Sequence, residues 1–136
     1  MPSKIDQDEL VRAAQDASTR AYAPFSKFYV GAAILTSEGK LYTGCNVENS
    51  SYGLTNCAER TAIFSAVAEG ALNDKKQIVA VAAINRDGIP CAPCGACRQV
   101  IYEFGPEAII IYKGKSGRIE QTAITALLPE GFRLRT

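Results

Sequence analysis

The spacing of apolar residues along the chain predicts four helices. In residues 5–21, leucine and alanine return every three or four positions after an acidic start, which is the pattern of an amphipathic surface helix. Residues 57–69 repeat this spacing, and Gly70 is a natural helix stop. We expect a third helix over residues 93–105 and a short fourth helix around residues 125–128.

The segments between the helices predict five strands. Residues 28–36 and 41–47 flank the turn SEGK and are typical of a hairpin. Residues 77–85 are apolar almost throughout, as in a strand that is covered on both faces. Residues 108–114 and 118–123 predict a second hairpin. The alternation of strands and helices predicts an α/β fold, with helices on both faces of a mostly parallel or mixed sheet.

Length and charge narrow the classes of protein. A chain of 136 residues is expected to form one domain, residues 1–136, with a core large enough to fold without disulfides. The charged N-terminus and the lack of a long apolar run argue against a signal peptide or a membrane span, so we expect a cytoplasmic protein with no membrane partner. The net charge of +1, without a basic block, disfavours a nucleic-acid polymer as partner.

The cysteines suggest a metal site. The chain has five cysteines and no histidine, and a reducing compartment favours metal binding over crosslinks. Cys94 and Cys97 share one face of a helix start, and Cys57 begins another helix. Three thiolates would leave one zinc position open, as in catalytic sites, whereas recruitment of Cys91 or Cys45 would close a structural site.

Glu59 favours the catalytic alternative. Two positions after Cys57, its carboxylate would lie beside the open metal position and could carry protons. The alternative is a capping box, in which Glu59 and Asn56 satisfy backbone donors at the helix start. Zinc with three thiolates carries a net charge of −1, so the site needs positive support, for which Arg60 is the stronger candidate and Arg98 the weaker.

Two motifs give the chain a family resemblance. CAE at residues 57–59 and PCGAC at residues 93–97 resemble the two-part signature of the zinc-dependent deaminases. With FSKFYVGAAI, GCNVENSSYG and PCGACRQV, nearly the whole chain is similar to the small, homotetrameric cytidine deaminases of pyrimidine salvage. The resemblance implies three α/β/α layers around a mixed five-stranded sheet, one Zn²⁺ per subunit, and pockets shared between subunits.

The resemblance also implies roles for residues outside the metal motifs. Phe28 would line the pyrimidine pocket, and Asn46 and Glu48 would bind the ribose hydroxyls. Without the resemblance, Phe28 would be an ordinary core residue and the other two would belong to a polar loop. Tyr52 and Phe132 would complete the pocket of a neighbouring subunit. The Glu48 carboxylate would repel a 5′-phosphate, which favours a free nucleoside as substrate.

The implied activity is hydrolytic deamination of cytidine or 2′-deoxycytidine, with Glu59 as the proton carrier. Two alternatives remain at this point: a deaminase of the same fold that acts on a cytosine-containing antibiotic such as blasticidin S, and a non-enzymatic zinc module with four sulfur ligands. Asn56 and Cys91 depart from the family pattern, and we expect Cys45 and Cys91 to be small buried hydrophobes or bystanders.

Overall fold

The predicted helices and strands are present in the computed structural model, which describes residues 5–134. The helices are α1 (Gln7–Ser18), α2 (Ala58–Ala68), α3 (Gly95–Phe104) and α4 (Ile124–Leu127). The strands are β1 (Val30–Thr36), β2 (Leu41–Cys45), β3 (Ile78–Asn85), β4 (Ile109–Lys113) and β5 (Ile119–Ala123). A single 3₁₀ turn, Tyr52–Leu54, interrupts the loop between β2 and α2.

The strands form one mixed sheet in the order β2-β1-β3-β4-β5. β1 runs antiparallel to both β2 and β3, while β3 and β4 are parallel and β5 returns antiparallel to β4. Because β2 and β3 both oppose β1, they point in the same direction. The helices that follow them, α2 and α3, therefore begin at the same edge of the sheet.

Helices cover both faces of the sheet, as predicted. Successive residues of a strand point to opposite faces, and in β3 Ala80 and Ala82 pack with α1 whereas Val81 packs with α2. On the α1 face, the alanines of β1 and β3 pack together with the larger Leu35, Ile84 and Ile111. On the opposite face, isoleucine and valine of the strands pack against isoleucines of the helices, and all six are fully buried: Ile34, Val81 and Ile110 from strands, and Ile63, Ile101 and Ile124 from helices. α2 and α3 thus share one layer, which brings their first turns together.

Glycines allow two helices to pack directly on strand backbones. A Cβ at Gly31 would lie 1.9 Å from the carbonyl oxygen of Ala14 in α1. A Cβ at Gly44 of β2 would lie 2.5 Å from the amide nitrogen of Ala62 in α2. The second contact sets the height of α2 above the sheet, and with it the position of the side chains at the start of α2.

The helix ends differ from the prediction by a few residues. α1 begins where the carboxylate of Asp6 accepts a hydrogen bond from the amide of Glu9 at 3.1 Å. It ends at Ser18, three residues before the predicted end, where the Ser18 and Thr19 hydroxyls donate to the Gln15 and Asp16 carbonyls. Such local bonds compete with continued helix. Among residues 5–134, no helix has the length and apolar character to cross a membrane.

Candidate metal centre and active site

Three cysteine thiols meet where α2 and α3 begin. Cys57 is the N-cap residue of α2, Cys94 is the N-cap of α3, and Cys97 lies in the first turn of α3. Their sulfur atoms all lie within 4.8 Å of one another, and the Sγ atoms of Cys57 and Cys94 are 3.8 Å apart. The positive ends of two helix dipoles face this cluster, which favours the anionic thiolates.

The cluster fits a tetrahedral zinc ion. Thiolates bound to zinc at about 2.3 Å in tetrahedral geometry lie about 3.8 Å apart, which matches the Cys57 to Cys94 separation. In the part of the chain that the structure describes, the cluster contains neither Cys91 nor Cys45. The Cys45 thiol instead lies 3.6 Å from the carbonyl oxygen of Arg20. The geometry therefore matches a three-sulfur site with an open position.

Arg60 supplies positive charge beside the thiols. Its Nη2 donates a hydrogen bond to Cys57 Sγ at 3.3 Å. Hydrogen bonding with Cys97 and then with Arg60 lowers the pKa of Cys57, because these bonds stabilise the thiolate. Arg98 does something else: its Nε donates to the Pro93 carbonyl at 2.7 Å and its Nη1 to the Leu127 carbonyl at 3.0 Å. Arg98 thus braces the loop before α3, in keeping with its weaker standing as a metal-site residue.

Glu59 is a buried carboxylate next to the metal cluster. Its side chain is 4% exposed and lines a cavity of about 200 Å³ that Cys57 and Cys94 also line. Burial raises the pKa of Glu59 to about 7, because the charged form loses its hydration. A carboxyl group with this pKa can both accept and release a proton near neutral pH.

The capping alternative for Glu59 is not formed. The N-cap residue of α2 is Cys57 rather than Asn56, and the side chain of Cys57 makes no capping hydrogen bond. The side-chain amide of Asn56 donates to the Thr61 hydroxyl at 3.1 Å instead. The helix begins one residue later than a capping box would require, which leaves the carboxylate of Glu59 turned to the cavity.

Phe28 and Asn46 line the same cavity as Glu59. The side chain of Asn46 is held from both ends: its Oδ1 accepts from the Val30 amide at 2.9 Å, and its Nδ2 donates to the Phe28 carbonyl at 2.8 Å. These bonds tie the end of β2 to the start of β1. Phe28 is half-buried and packs against a small cluster that includes Val30 and Ala58.

Glu48 and Tyr52 lie in an adjoining hollow of about 290 Å³, whose lining shares Thr55 with the Glu59 cavity. Glu48 Oε1 accepts hydrogen bonds from the amides of Phe25 at 2.9 Å and Ser26 at 3.2 Å, and its Oε2 accepts from the Ser26 hydroxyl. The ring of Tyr52 is 75% exposed and sits 5.6 Å from the ring of Phe25.

Phe132 lies apart from both cavities of its own chain. Its side chain is 65% exposed, and its carbonyl oxygen accepts a hydrogen bond from Gln99 Nε2 at 3.1 Å. Sequence reasoning missed Thr55 and Ser26, which help form the hollow. Both are small polar residues in loops, and no periodicity or motif chemistry separates them from their neighbours.

Cys91 is another wall of the Glu59 cavity, outside the metal cluster. It is half-buried, and burial raises the pKa of its thiol to about 11. A thiol with this pKa stays neutral at neutral pH. Cys91 packs beside Phe28 and Ala58 as an apolar side chain does, but it is half-buried, whereas a fully buried side chain was one of the two predicted alternatives.

A three-thiolate zinc site with a buried carboxylate beside it, at two helix starts on a mixed sheet, defines a zinc-dependent deaminase. Comparisons with known proteins agree. Residues 4–113 match the family model of the cytidine and deoxycytidylate deaminase zinc-binding region. Cytidine deaminase of Sporosarcina psychrophila is 46% identical over 129 residues, which cover 94% of this chain and 92% of that protein.

A solved structure and a second kind of relative extend the comparison. The crystal structure of cytidine deaminase from Burkholderia pseudomallei has a TM-score of 0.84 at 46% identity, covering 94% of this chain and 100% of that one. Blasticidin-S deaminase of Bacillus cereus is 34% identical over 126 residues, which cover 89% of this chain and 88% of that protein. The chain belongs to the cytidine deaminase family of zinc hydrolases, and Cys57, Cys94 and Cys97 bind its zinc.

Proposed function

We propose that the protein converts cytidine and 2′-deoxycytidine, with water, to uridine and 2′-deoxyuridine plus ammonia. The observation that carries this proposal is the buried carboxylate of Glu59 in a cavity that it shares with the metal-binding thiols. The cavity is walled by an aromatic ring, Phe28, and a side-chain amide, Asn46, as a site for a planar polar ring requires.

The reaction moves two protons from water to the substrate, and Glu59 is placed to carry both. Zinc, when bound, acts as a Lewis acid that makes water a nucleophile near neutral pH. Glu59 takes a proton from the attacking water and passes it to the ring nitrogen next to C4. After water oxygen has bonded to C4, Glu59 carries the second water proton to the departing amino group, which leaves as ammonia. Its pKa of about 7 suits both directions of transfer.

The substrate would be a free nucleoside. Asn46 lines the Glu59 cavity and Glu48 lines the adjoining hollow, into which the sugar of a nucleoside with its base in the Glu59 cavity would extend. Hydrogen bonds, first from the Ser26 hydroxyl, lower the pKa of Glu48, so this group is a carboxylate at neutral pH. A fixed negative charge beside the sugar favours hydroxyl donors and disfavours a 5′-phosphate.

The active form would be a homotetramer of one-domain subunits, each with one zinc, whose pockets are shared between subunits. The rings of Tyr52 and Phe132 are exposed, which leaves both available for contact with a neighbouring subunit. Tyr52 lines the hollow of its own chain, whereas Phe132 would contact the pocket of a neighbouring subunit. We place the enzyme in the cytoplasm, where thiol ligands stay reduced.

Replacement of Glu59 tests the mechanism. Glu59→Gln keeps the size of the side chain but cannot carry a proton, so we expect zinc content to be unchanged while turnover of cytidine falls by about 10²- to 10⁴-fold. Absorbance change on deamination gives the rate, and metal analysis gives the zinc content. Full activity in Glu59→Gln, with zinc bound, would rule out the proposed role.

The similarity to a blasticidin-S deaminase makes that antibiotic the second candidate substrate. The two substrates can be compared as competitors in one assay, and a kcat/KM higher for blasticidin S than for cytidine would reverse our choice. The alternative of a non-enzymatic zinc module predicts four sulfur ligands. X-ray absorption at the zinc edge, which separates three sulfurs plus one oxygen from four sulfurs, decides that question.

A further inference from the structure

Ser26 connects two parts of the substrate site. It lies in the loop between α1 and β1, and its hydroxyl donates a hydrogen bond to Glu48 Oε2. The hydroxyl oxygen of Ser26 also accepts a hydrogen bond from the amide of Phe28 at 3.0 Å. The amides of Ser26 and Phe25 donate to the other carboxylate oxygen, Oε1, at 3.2 and 2.9 Å. Both oxygens of Glu48 are therefore held by this loop, 22 residues away in the chain.

The hydroxyl of Ser26 has a defined direction. Because its oxygen accepts from the Phe28 amide, its hydrogen is left to point at the carboxylate. An alanine could make neither bond, and a threonine could make both. The side chain of Ser26 thus links the backbone of a residue in the Glu59 cavity to a carboxylate in the adjoining hollow.

The loop backbone adopts an uncommon conformation to make this link. Lys27 has a positive φ of 59°, a region that residues with a Cβ seldom occupy. Its amide donates to the Ala23 carbonyl at 3.0 Å, which closes the loop into a tight turn. Backbone strain of this kind persists where the surrounding contacts determine the conformation, and it is concentrated at functional sites.

We propose that Ser26 is a positioning residue, which sets the carboxylate of Glu48 in its sugar-binding orientation before substrate arrives. The inference rests on the proposed function, because it takes Glu48 as the group that binds the sugar. A carboxylate held by three donors keeps one orientation and pays less conformational entropy when it accepts hydroxyl groups of the substrate. Loss of the link would weaken binding of the nucleoside and leave proton transfer by Glu59 unaffected.

Ser116 provides a matched control. In the turn between β4 and β5, its hydroxyl also donates to a glutamate, Glu120 Oε2 at 3.1 Å, and accepts from the amide two residues on, Arg118, at 3.2 Å. Neither Ser116 nor Glu120 lines the Glu59 cavity or its adjoining hollow. Ser116→Ala therefore removes the same two bonds at a place where the inference predicts no effect on catalysis.

The experiment is a steady-state comparison of Ser26→Ala, Ser26→Thr and Ser116→Ala in the zinc-loaded enzyme with cytidine. We expect Ser26→Ala to raise KM about 3- to 10-fold, as loss of one hydrogen bond to the carboxylate would, with kcat changed less than about twofold. Ser26→Thr restores the wild-type KM, and Ser116→Ala leaves both constants unchanged. In a Glu48→Ala background, Ser26→Ala adds less than about a twofold change.

The outcomes separate this inference from the function on which it rests. If Glu48→Ala raises KM but Ser26→Ala behaves like Ser116→Ala, the positioning role is wrong and the deaminase function stands. If Ser26→Ala lowers kcat together with zinc content or melting temperature, Ser26 is structural and the inference is also wrong. Failure of the function itself would show in Glu59→Gln, as undiminished turnover, whatever the serine variants do.

Discussion

Gly44→Ala is expected to disturb the metal centre by displacing α2 from β2. Gly44 lies in β2, where α2 crosses the strand, and a Cβ there would sit 2.5 Å from the Ala62 amide nitrogen and 2.7 Å from the Ala58 carbonyl oxygen. Both atoms belong to the backbone, so no side chain can rotate out of the way. The helix has to move, and it carries Cys57 and Glu59 at its start.

The size of the effect follows from the overlap. Reaching an ordinary contact of 3.4 Å requires 3.4 − 2.5 = 0.9 Å of separation at the Ala62 nitrogen. Overpacking of this kind costs about 1 to 3 kcal/mol of unfolding free energy. With an unfolding entropy of about 2.1 cal/mol/K per residue, a chain of 136 residues should then melt about 3 to 10 °C lower.

Thermal unfolding of the zinc-loaded protein measures this loss, with Gly53→Ala as the control. Gly53 has a negative φ and would place its Cβ in open space, so both variants share the change in unfolded-state entropy and only Gly44→Ala adds a clash. We also expect Gly44→Ala to bind zinc more weakly, because Cys57 moves relative to Cys94. A melting temperature within about 1 °C of the Gly53→Ala value would refute the packing argument.

Three further predictions concern the charges and thiols of the site. Arg60→Gln removes the hydrogen-bond donor to Cys57 Sγ and should weaken zinc affinity about 10- to 100-fold, as measured by chelator competition. A zinc affinity equal to that of the wild type would show that Arg60 does not support the metal site. The folded state holds a proton on Glu59 up to a pKa of about 7, so ionisation of Glu59 opposes folding as pH rises. Between pH 6 and 8, the wild type should therefore lose about 1 kcal/mol of unfolding free energy relative to Glu59→Gln. Parallel stability curves for the two proteins in denaturant titrations would argue against this. Cys91→Ala and Cys45→Ala should each retain one zinc per chain by metal analysis, since neither thiol is in the cluster, and loss of metal from either variant would show a fourth sulfur ligand.

The helices and strands could be predicted from the sequence because their apolar residues recur at regular spacing. The apolar run that became β3 is almost entirely buried, and the spacing that became α2 places Ala62, Ile63 and Ala66 on the buried face, although Val67 at its end is exposed. The spacing of Cys94 and Cys97 also sufficed to put their thiols on one side of α3. These are local properties, which neighbouring residues determine on their own.

Contacts between distant segments were not predictable in the same way. The bonds from Ser26 to Glu48 depend on a turn with a left-handed residue, Lys27, whose side chain gives no hint of that conformation. The capping box was a reasonable prediction from Asn56 and Glu59, but helix boundaries shift by a residue or two, and here that shift decides whether the carboxylate caps the helix or faces the cavity.

The position of β1 between β2 and β3 is the feature of the fold that builds the site. β1 is antiparallel to both neighbours, so β2 and β3 end at one edge of the sheet, although they are far apart in the chain. Each of these strands leads through a loop into a helix on the same face, and each helix begins with a cysteine as its N-cap residue. Two helix dipoles and one arginine then face three thiols, while the first turn of α2 presents Glu59 to the same space. The antiparallel strand β1 therefore sets the common direction of β2 and β3, and this common direction places both helix starts at the active site.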